Sequence, residues 1–141
     1  MADVHNKATR SYNMLQIKNM DTKPEVLVRK YLFSKGLRFR KNDKRYPGHP
    51  DIVLPKYKTV VFVHGCFWHM HENCRYSRMP SSNVDYWEKK LSGNRDRDKR
   101  NQDALTEMGW NVLVVWECQL KKDKRDVTLE ELYLSIISNK T

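Results

Sequence analysis

The amino-acid sequence predicts an α/β fold, with α+β as its close variant, in which a mixed central β-sheet is flanked by helices. Two apolar runs and the spacing between them carry the prediction. Residues 58–64, with Val60, Val61, Phe62 and Val63 in a row, and residues 110–116 lack the polar alternation of a half-exposed strand, so both read as strands buried on two faces. The long stretch between them has helical character. The resulting order, helix, three strands, helix, strand, helix, is best housed by one sheet with helices packed on it.

Each element has its own grounds. Residues 7–18 show weak helical periodicity (Met14, Leu15, Ile17) on a basic background and read as an arm that needs a partner. Thr22-Lys23-Pro24-Glu25 is a sharper start: Thr22 caps, Pro24 suits a first turn, and Glu25 completes a capping box. The helix then runs through Val26, Leu27, Tyr31 and Leu32 to Gly36. Residues 37–41 alternate like a strand, and residues 51–54 read as a second. Residues 83–108 read as helix with a break at Ser92-Gly93, and residues 128–138 as a closing helix. There is no repeat, linker or low-complexity tract, so residues 1–141 are expected to form a single domain with residues 1–20 as its arm.

At 141 residues, 39% hydrophobic and 11% aromatic, the chain can bury one core and is too rich in large apolar side chains for a disordered segment. No apolar run is long enough for a transmembrane helix, and the start carries no apolar signal segment. The expectation is therefore a cytoplasmic, membrane-free monomer. The net charge of +10 favours a polyanionic partner, because neutralising phosphates releases their counterions, although a basic surface also serves solubility.

Three cysteines cannot pair without leaving one over, so they read as thiols or metal ligands. Cys66, His71 and Cys74 form a Cys-x4-His-x2-Cys segment, and Cys118 follows the strand at 110–116. Four such ligands would close a tetrahedral zinc site with no open position, which makes the metal structural. His69 is the alternative to His71, and three buried thiols with incidental histidines are the plainer reading. Phosphodiester hydrolysis needs carboxylates that hold a hard cation, with a base near the attacking water. Asp51 opens a strand beside the end of the run at Val63-His64, and Glu25 lies in a first helical turn. Taken alone, both also read as an ordinary turn residue and an ordinary cap.

Pro47-Gly48-His49-Pro50-Asp51 and Val61-Phe62-Val63-His64-Gly65-Cys66-Phe67-Trp68-His69-Met70-His71 resemble the signature of very short patch repair (Vsr) endonucleases. So do Ala2-Asp3-Val4-His5, Tyr86-Trp87, Asn94-Arg95-Asp96-Arg97-Asp98 and Val115-Trp116-Glu117-Cys118, so that the likeness spans nearly the whole chain. The resemblance implies a fold related to type II restriction enzymes. It also implies a nick 5′ to the thymine of a T·G mismatch left when 5-methylcytosine deaminates, in a particular sequence context.

By that resemblance Asp51 and the backbone carbonyl of Val63 hold Mg2+, and His69 is the base or its relay. His64 and Glu25 support the water around the cation, and Asp98 orients a histidine. Zn2+ falls to Cys66, His71, Cys74 and Cys118. Phe67, Trp68 and Trp87 resemble a wedge driven between base pairs, with the arm around Met14 clamping the opposite groove; Trp87 packing a core is the plainer alternative. Double-stranded DNA carrying a T·G mismatch is the implied partner, together with mismatch-repair accessory proteins and a companion cytosine-5 methyltransferase. Trp110 and Trp116 are left in the core. Arg95, Arg97, Lys99 and Arg100, like Lys121, Lys122, Lys124 and Arg125, are phosphate contacts or solvated faces. A restriction- or homing-type nuclease and a non-catalytic zinc-stabilised DNA-binding module are the competing readings.

Overall fold

A computed structural model describes residues 22–139. The arm, Met14 included, lies outside the described residues. Helix α1 (Lys23–Ser34) begins where Pro24 presets the backbone of a first turn, at a position whose N–H the helix does not use. Thr22 takes the N-cap position with an extended backbone, but its side chain makes no capping bond. The capping role expected of this pair is therefore not played: Glu25 is buried, 3.3 Å from Arg29. Gly36, at φ +87°, ends the helix in the left-handed turn that glycine tolerates.

Strand β1 is only Arg40–Lys41, shorter than the expected 37–41. Leu37 still belongs to the helix end, since its N–H bonds the carbonyl of Leu32 and its side chain is buried in the core. Strand β2 (Ile52–Leu54) and strand β3 (Thr59–His64) follow, joined by a single 3-10 turn. Helix α2 (Val84–Glu107) is continuous through Ser92-Gly93, so the expected break does not occur. A lone glycine costs a helix only about 1 kcal/mol, which a helix of this length absorbs. Strand β4 (Asn111–Trp116) and helix α3 (Arg125–Ile137) complete the fold, α3 starting earlier than the expected 128.

The sheet has the order β1-β2-β3-β4. Its first two pairings are antiparallel and β3–β4 is parallel. A parallel pair needs a crossover, and α2 supplies it. The alternation along β3 explains its unbroken apolar run. Val61 and Val63 join Val28, Leu32, Leu129, Leu132 and Ile136 of α1 and α3 on one face. Val60 and Phe62 join Leu105 and Trp110 on the other, beneath α2. Every residue of β3 is buried, and each such valine is worth about 1.5–3 kcal/mol relative to exposure. Strand β4 corrects the expectation: only Val115 is buried, because β4 is an edge strand among the described residues. No helix of the described residues is long and apolar enough to cross a membrane.

Candidate active site and metal cage

The parallel register sets His64 directly beside Trp116, at the ends of β3 and β4. The chain then turns back on itself, with the His69 N–H bonding the Gly65 carbonyl at 3.2 Å and the His71 N–H bonding the Cys66 carbonyl at 3.0 Å. That turn lays the His69 ring on the His64 ring, with centroids 3.8 Å apart and planes 5° from parallel. It also sends His71 the other way, onto the indole of Trp116, at 4.0 Å and 6°. Trp116 thus stands between two sites, edge-on to His64 at 5.2 Å and stacked on His71. It is half-buried in this role and not a core residue, whereas Trp110 is buried as expected.

The first site faces a cavity of about 910 Å³ lined by Glu25, Asp51, Val63, His64, His69 and Asp98, among others. Asp51 reaches it from the turn at Tyr46-Pro47-Gly48-His49. Gly48 sits there at φ +77°, so close that a Cβ would meet the Cβ of Asn101 at 3.0 Å and the ring of Phe62 at 3.2 Å. The Val63 N–H donates to Asp51 Oδ2 at 2.6 Å. Within a strand the N–H and C=O of one residue point the same way, so the Val63 carbonyl lies on the Asp51 side as well. Burial pushes the Asp51 carboxyl up to about 7; the Val63 N–H opposes this and the neighbouring Glu25 carboxylate reinforces it. A half-buried acid held in this way beside a second acid is suited to a cation.

His69 Nδ1 lies 2.5 Å from Asp98 Oδ2, on α2. Four residues earlier on the same helix, Asn94 Nδ2 donates to the Trp68 carbonyl at 3.1 Å. One helix face therefore holds both the Trp68 backbone and the His69 ring. Burial, aided by His69 and opposed by Asp98, holds His64 down at about 3. Its Nδ1 is buried without a hydrogen-bond partner, the only such side-chain atom among the described residues. A buried polar atom of that kind is rare in a folded protein and marks a site of strain, catalysis or a bound water or ion. The nearest donor atoms of His64, His69 and Asp98 all lie within 4.8 Å of one another, but two imidazoles suit Mg2+ poorly, since that ion prefers oxygen. The oxygens of Asp51 and Val63 fit it better.

The second site is the cage. One donor atom each from Cys66, His71, Cys74 and Cys118 lies within 4.8 Å of the others. Cys118 Sγ stands 3.5 Å from His71 Nδ1, about the separation of two ligands on one tetrahedral zinc. The Cys118 N–H donates to Cys66 Sγ at 3.4 Å, a bond that favours a thiolate there. Burial lowers the affinity of the His71 imidazole for a proton, against the pull of Glu72. Burial pushes Cys66 up to about 12 and raises Cys118. At Cys74 burial also works against ionisation, but hydrogen bonds from Tyr76, Cys66, Cys118 and Ser77 outweigh it and lower the thiol. The donor set fits structural zinc, and His71, not His69, belongs to it.

Phe67, Trp68 and Trp87 form one half-buried aromatic cluster beside the cavity, with centroids 5.1–5.9 Å apart. Trp87 packs on the other two rings from α2 and not into the core. Tyr86 extends the cluster at 5.2 Å from Trp87, and it is exposed. Three features of the site were not foreseen from sequence: the His64–His69 stack, Trp116 as the partition, and Asn94 on the Trp68 carbonyl. The first follows from the turn after β3 and the second from that turn and the sheet register together, neither of which spacing reveals. The third had a partial signal in Asn94 and Asp98 sharing a helix face.

A small mixed α/β protein in which an acid-and-histidine cavity adjoins a three-thiol, one-imidazole cage is the class that this fold and site define. The family model described as DNA mismatch endonuclease Vsr matches residues 2–75. The type II nicking enzyme V.NmeAIP of Neisseria meningitidis serogroup A is 55% identical over 121 residues, covering 86% of this chain and 86% of that one. The type II nicking enzyme V.XorIIP of Xanthomonas oryzae pv. oryzae is 48% identical over 120 residues (85% of this chain, 88% of that one). DNA mismatch endonuclease Vsr of Escherichia coli is 46% identical over 121 residues (86% and 77%). The chain belongs to the Vsr family of DNA mismatch endonucleases.

Proposed function

We propose that this protein is a magnesium-dependent DNA endonuclease that nicks one strand 5′ to the thymine of a T·G mismatch arising from 5-methylcytosine deamination. One observation carries the reading: Phe67 and Trp68 of the aromatic cluster stand on the same short segment as the cavity residues His64 and His69, so that the residue after Trp68 is His69. The names of the relatives, mismatch endonuclease and nicking enzyme, support it.

Asp51 and the Val63 carbonyl would hold Mg2+, with Glu25 adding negative charge behind them. A divalent cation there supplies Lewis-acid stabilisation of the charge that builds on the scissile phosphate. His69 takes the proton of the attacking water at its free Nε2, and Asp98 on Nδ1 keeps that nitrogen in the accepting tautomer and steadies the charge gained. The stacked His64 ring fixes the plane of His69 and stays neutral, so it does not repel the charged ring. Phe67, Trp68 and Trp87 enter the stack beside the mismatch, where a wobble pair is easier to part than its neighbours. A metal in the cage would pin both ends of the segment that carries Phe67, Trp68 and His69.

The test is a nicking assay with Mg2+ on duplexes that differ only in carrying T·G or a matched pair, run beside Trp68→Ala. The wild type is expected to nick the T·G strand alone. Loss of a stacking ring is worth ~1–3 kcal/mol, so Trp68→Ala should bind T·G DNA roughly tenfold more weakly and matched DNA almost unchanged. Equal cutting of matched and T·G duplexes would point to a restriction- or homing-type nuclease. Binding without any cutting would leave a DNA-binding module. Equal losses of Trp68→Ala affinity on both duplexes would take discrimination away from the aromatics.

A further inference from the structure

The basic side chains of this protein fall into two groups. Several are neutralised where they stand: Arg95 by Glu72, Lys99 by Asp103 at 3.5 Å, and Arg45 by Asp43 at 2.7 Å. Another set crowds one shoulder of the active cavity. Lys121 lines that cavity, the groove between the start of α1 and the start of α3, and the hollow beside the cage. The groove is lined by Lys23, Lys121, Lys122 and Arg125, with Glu117 as its one carboxylate. It is continuous with the active cavity, because Lys23, Pro24, Glu117 and Lys121 line both.

On the cavity rim, Tyr76 is 39% exposed, in the turn that follows the cage residue Cys74. Lys121 Nζ and Arg75 Cζ each lie 4.9 Å from its ring centroid, and Arg75 donates to the Tyr76 hydroxyl at 2.8 Å. Two exposed cations on one ring repel each other. An anion bound beside the ring would be attracted to both, and a guanidinium, a phenol and an ammonium are all donors to phosphate oxygens.

We infer that Arg75, Tyr76 and Lys121 form a seat for a DNA backbone phosphodiester on the rim of the active cavity. The groove of Lys23, Lys122 and Arg125 carries the same strand away from it. This rests on the proposed nuclease reading and adds the path of the strand. The seat contacts only phosphates, so it strengthens binding to every duplex alike and leaves the choice of mismatch to the aromatic cluster.

The experiment is a salt titration of binding for wild type, Lys121→Ala, Tyr76→Phe and Lys99→Ala, on a matched and a T·G duplex. Lys121 is exposed and outside the core, so its loss leaves the fold standing, and thermal melting checks this. Each phosphate contact contributes about 0.9 to the slope of log affinity against log salt. Lys121→Ala is expected to flatten the slope by about that amount on both duplexes, and Tyr76→Phe to weaken both by the same factor with the slope kept. Lys99, which pairs with Asp103 and lines neither the cavity nor the groove, should leave both quantities near wild-type values. A wild-type slope in Lys121→Ala overturns the seat, as does a loss confined to T·G DNA. Wild-type protein that binds with a steep salt slope but never nicks would defeat the nuclease reading and leave the seat intact.

Discussion

Asp51→Ala is expected to end magnesium-dependent nicking of T·G duplexes while mismatch binding survives. The substitution removes the only carboxylate that the Val63 N–H fixes at the cavity wall, at 2.6 Å, and it touches none of the aromatic rings. Charge stabilisation of a phosphoryl oxygen by a held cation is worth several kcal/mol. At ~4 kcal/mol, and about 1.4 kcal/mol per factor of ten, the rate should fall at least about a thousandfold. Asp51→Asn makes the sharper version, because the amide oxygen can still accept from Val63 and only the charge is lost. The native carboxylate is half-buried beside the buried Glu25, an arrangement that costs stability in the absence of a cation. Asp51→Asn should therefore melt no lower than wild type in metal-free buffer while failing to cut. His69→Ala should lose on the order of a hundredfold, the usual worth of a positioned base. Single-turnover rates and gel-shift affinities on one T·G duplex check all three. Cutting by Asp51→Ala at a tenth of the wild-type rate or better would remove Asp51 from the reaction.

Much of this architecture is legible in the sequence, and the exceptions share a cause. The apolar run at Val60-Val61-Phe62-Val63 announces a strand covered on both sides, and α1, α2 and α3 do cover it. A similar run at Val112-Leu113-Val114-Val115 became a half-exposed edge strand, because composition cannot tell a central position from an edge. Ser92-Gly93 suggested a helix break, yet Ser92 packs against Met70 at 3.9 Å within an unbroken α2; tertiary contacts outweighed propensity. The set of three thiols and one imidazole could be drawn from residue types alone. Choosing His71 over His69 could not, since the choice depends on a turn that sends one ring to Asp98 and the other to Cys118. Glu25 shows the same limit. Its place in a first turn suggests a cap, and only the packing of α1 against the sheet turns it inward toward Asp51.

Loss of a metal from the cage is expected to be strongly destabilising. The cage ties residues 66–74, which leave β3, to Cys118, which follows β4, and so closes the open ends of a parallel pair. The core clusters lie on the sheet faces under the helices and do not include the turn. The conformation of residues 66–77 therefore depends on the cage together with the contacts that α2 makes to Trp68 and His69, and with it the stack of His69 on His64 and the positions of Phe67 and Trp68. We expect about one zinc per chain in protein purified without chelator, as four protein ligands and no open position dictate. Cys118→Ser keeps the size of the side chain but offers a poor ligand. If it costs ~3 kcal/mol, the melting temperature of a chain this long should fall by about 10 °C. A zinc-selective chelator should do the same to the wild type and have little further effect on the variant. Nicking measured with Mg2+ in excess should fall in step with zinc content, because the histidine and the wedge share the turn that the cage holds. Zinc-free wild-type protein that melts at the temperature of the loaded form would show the four residues to be ordinary thiols with a stacked histidine.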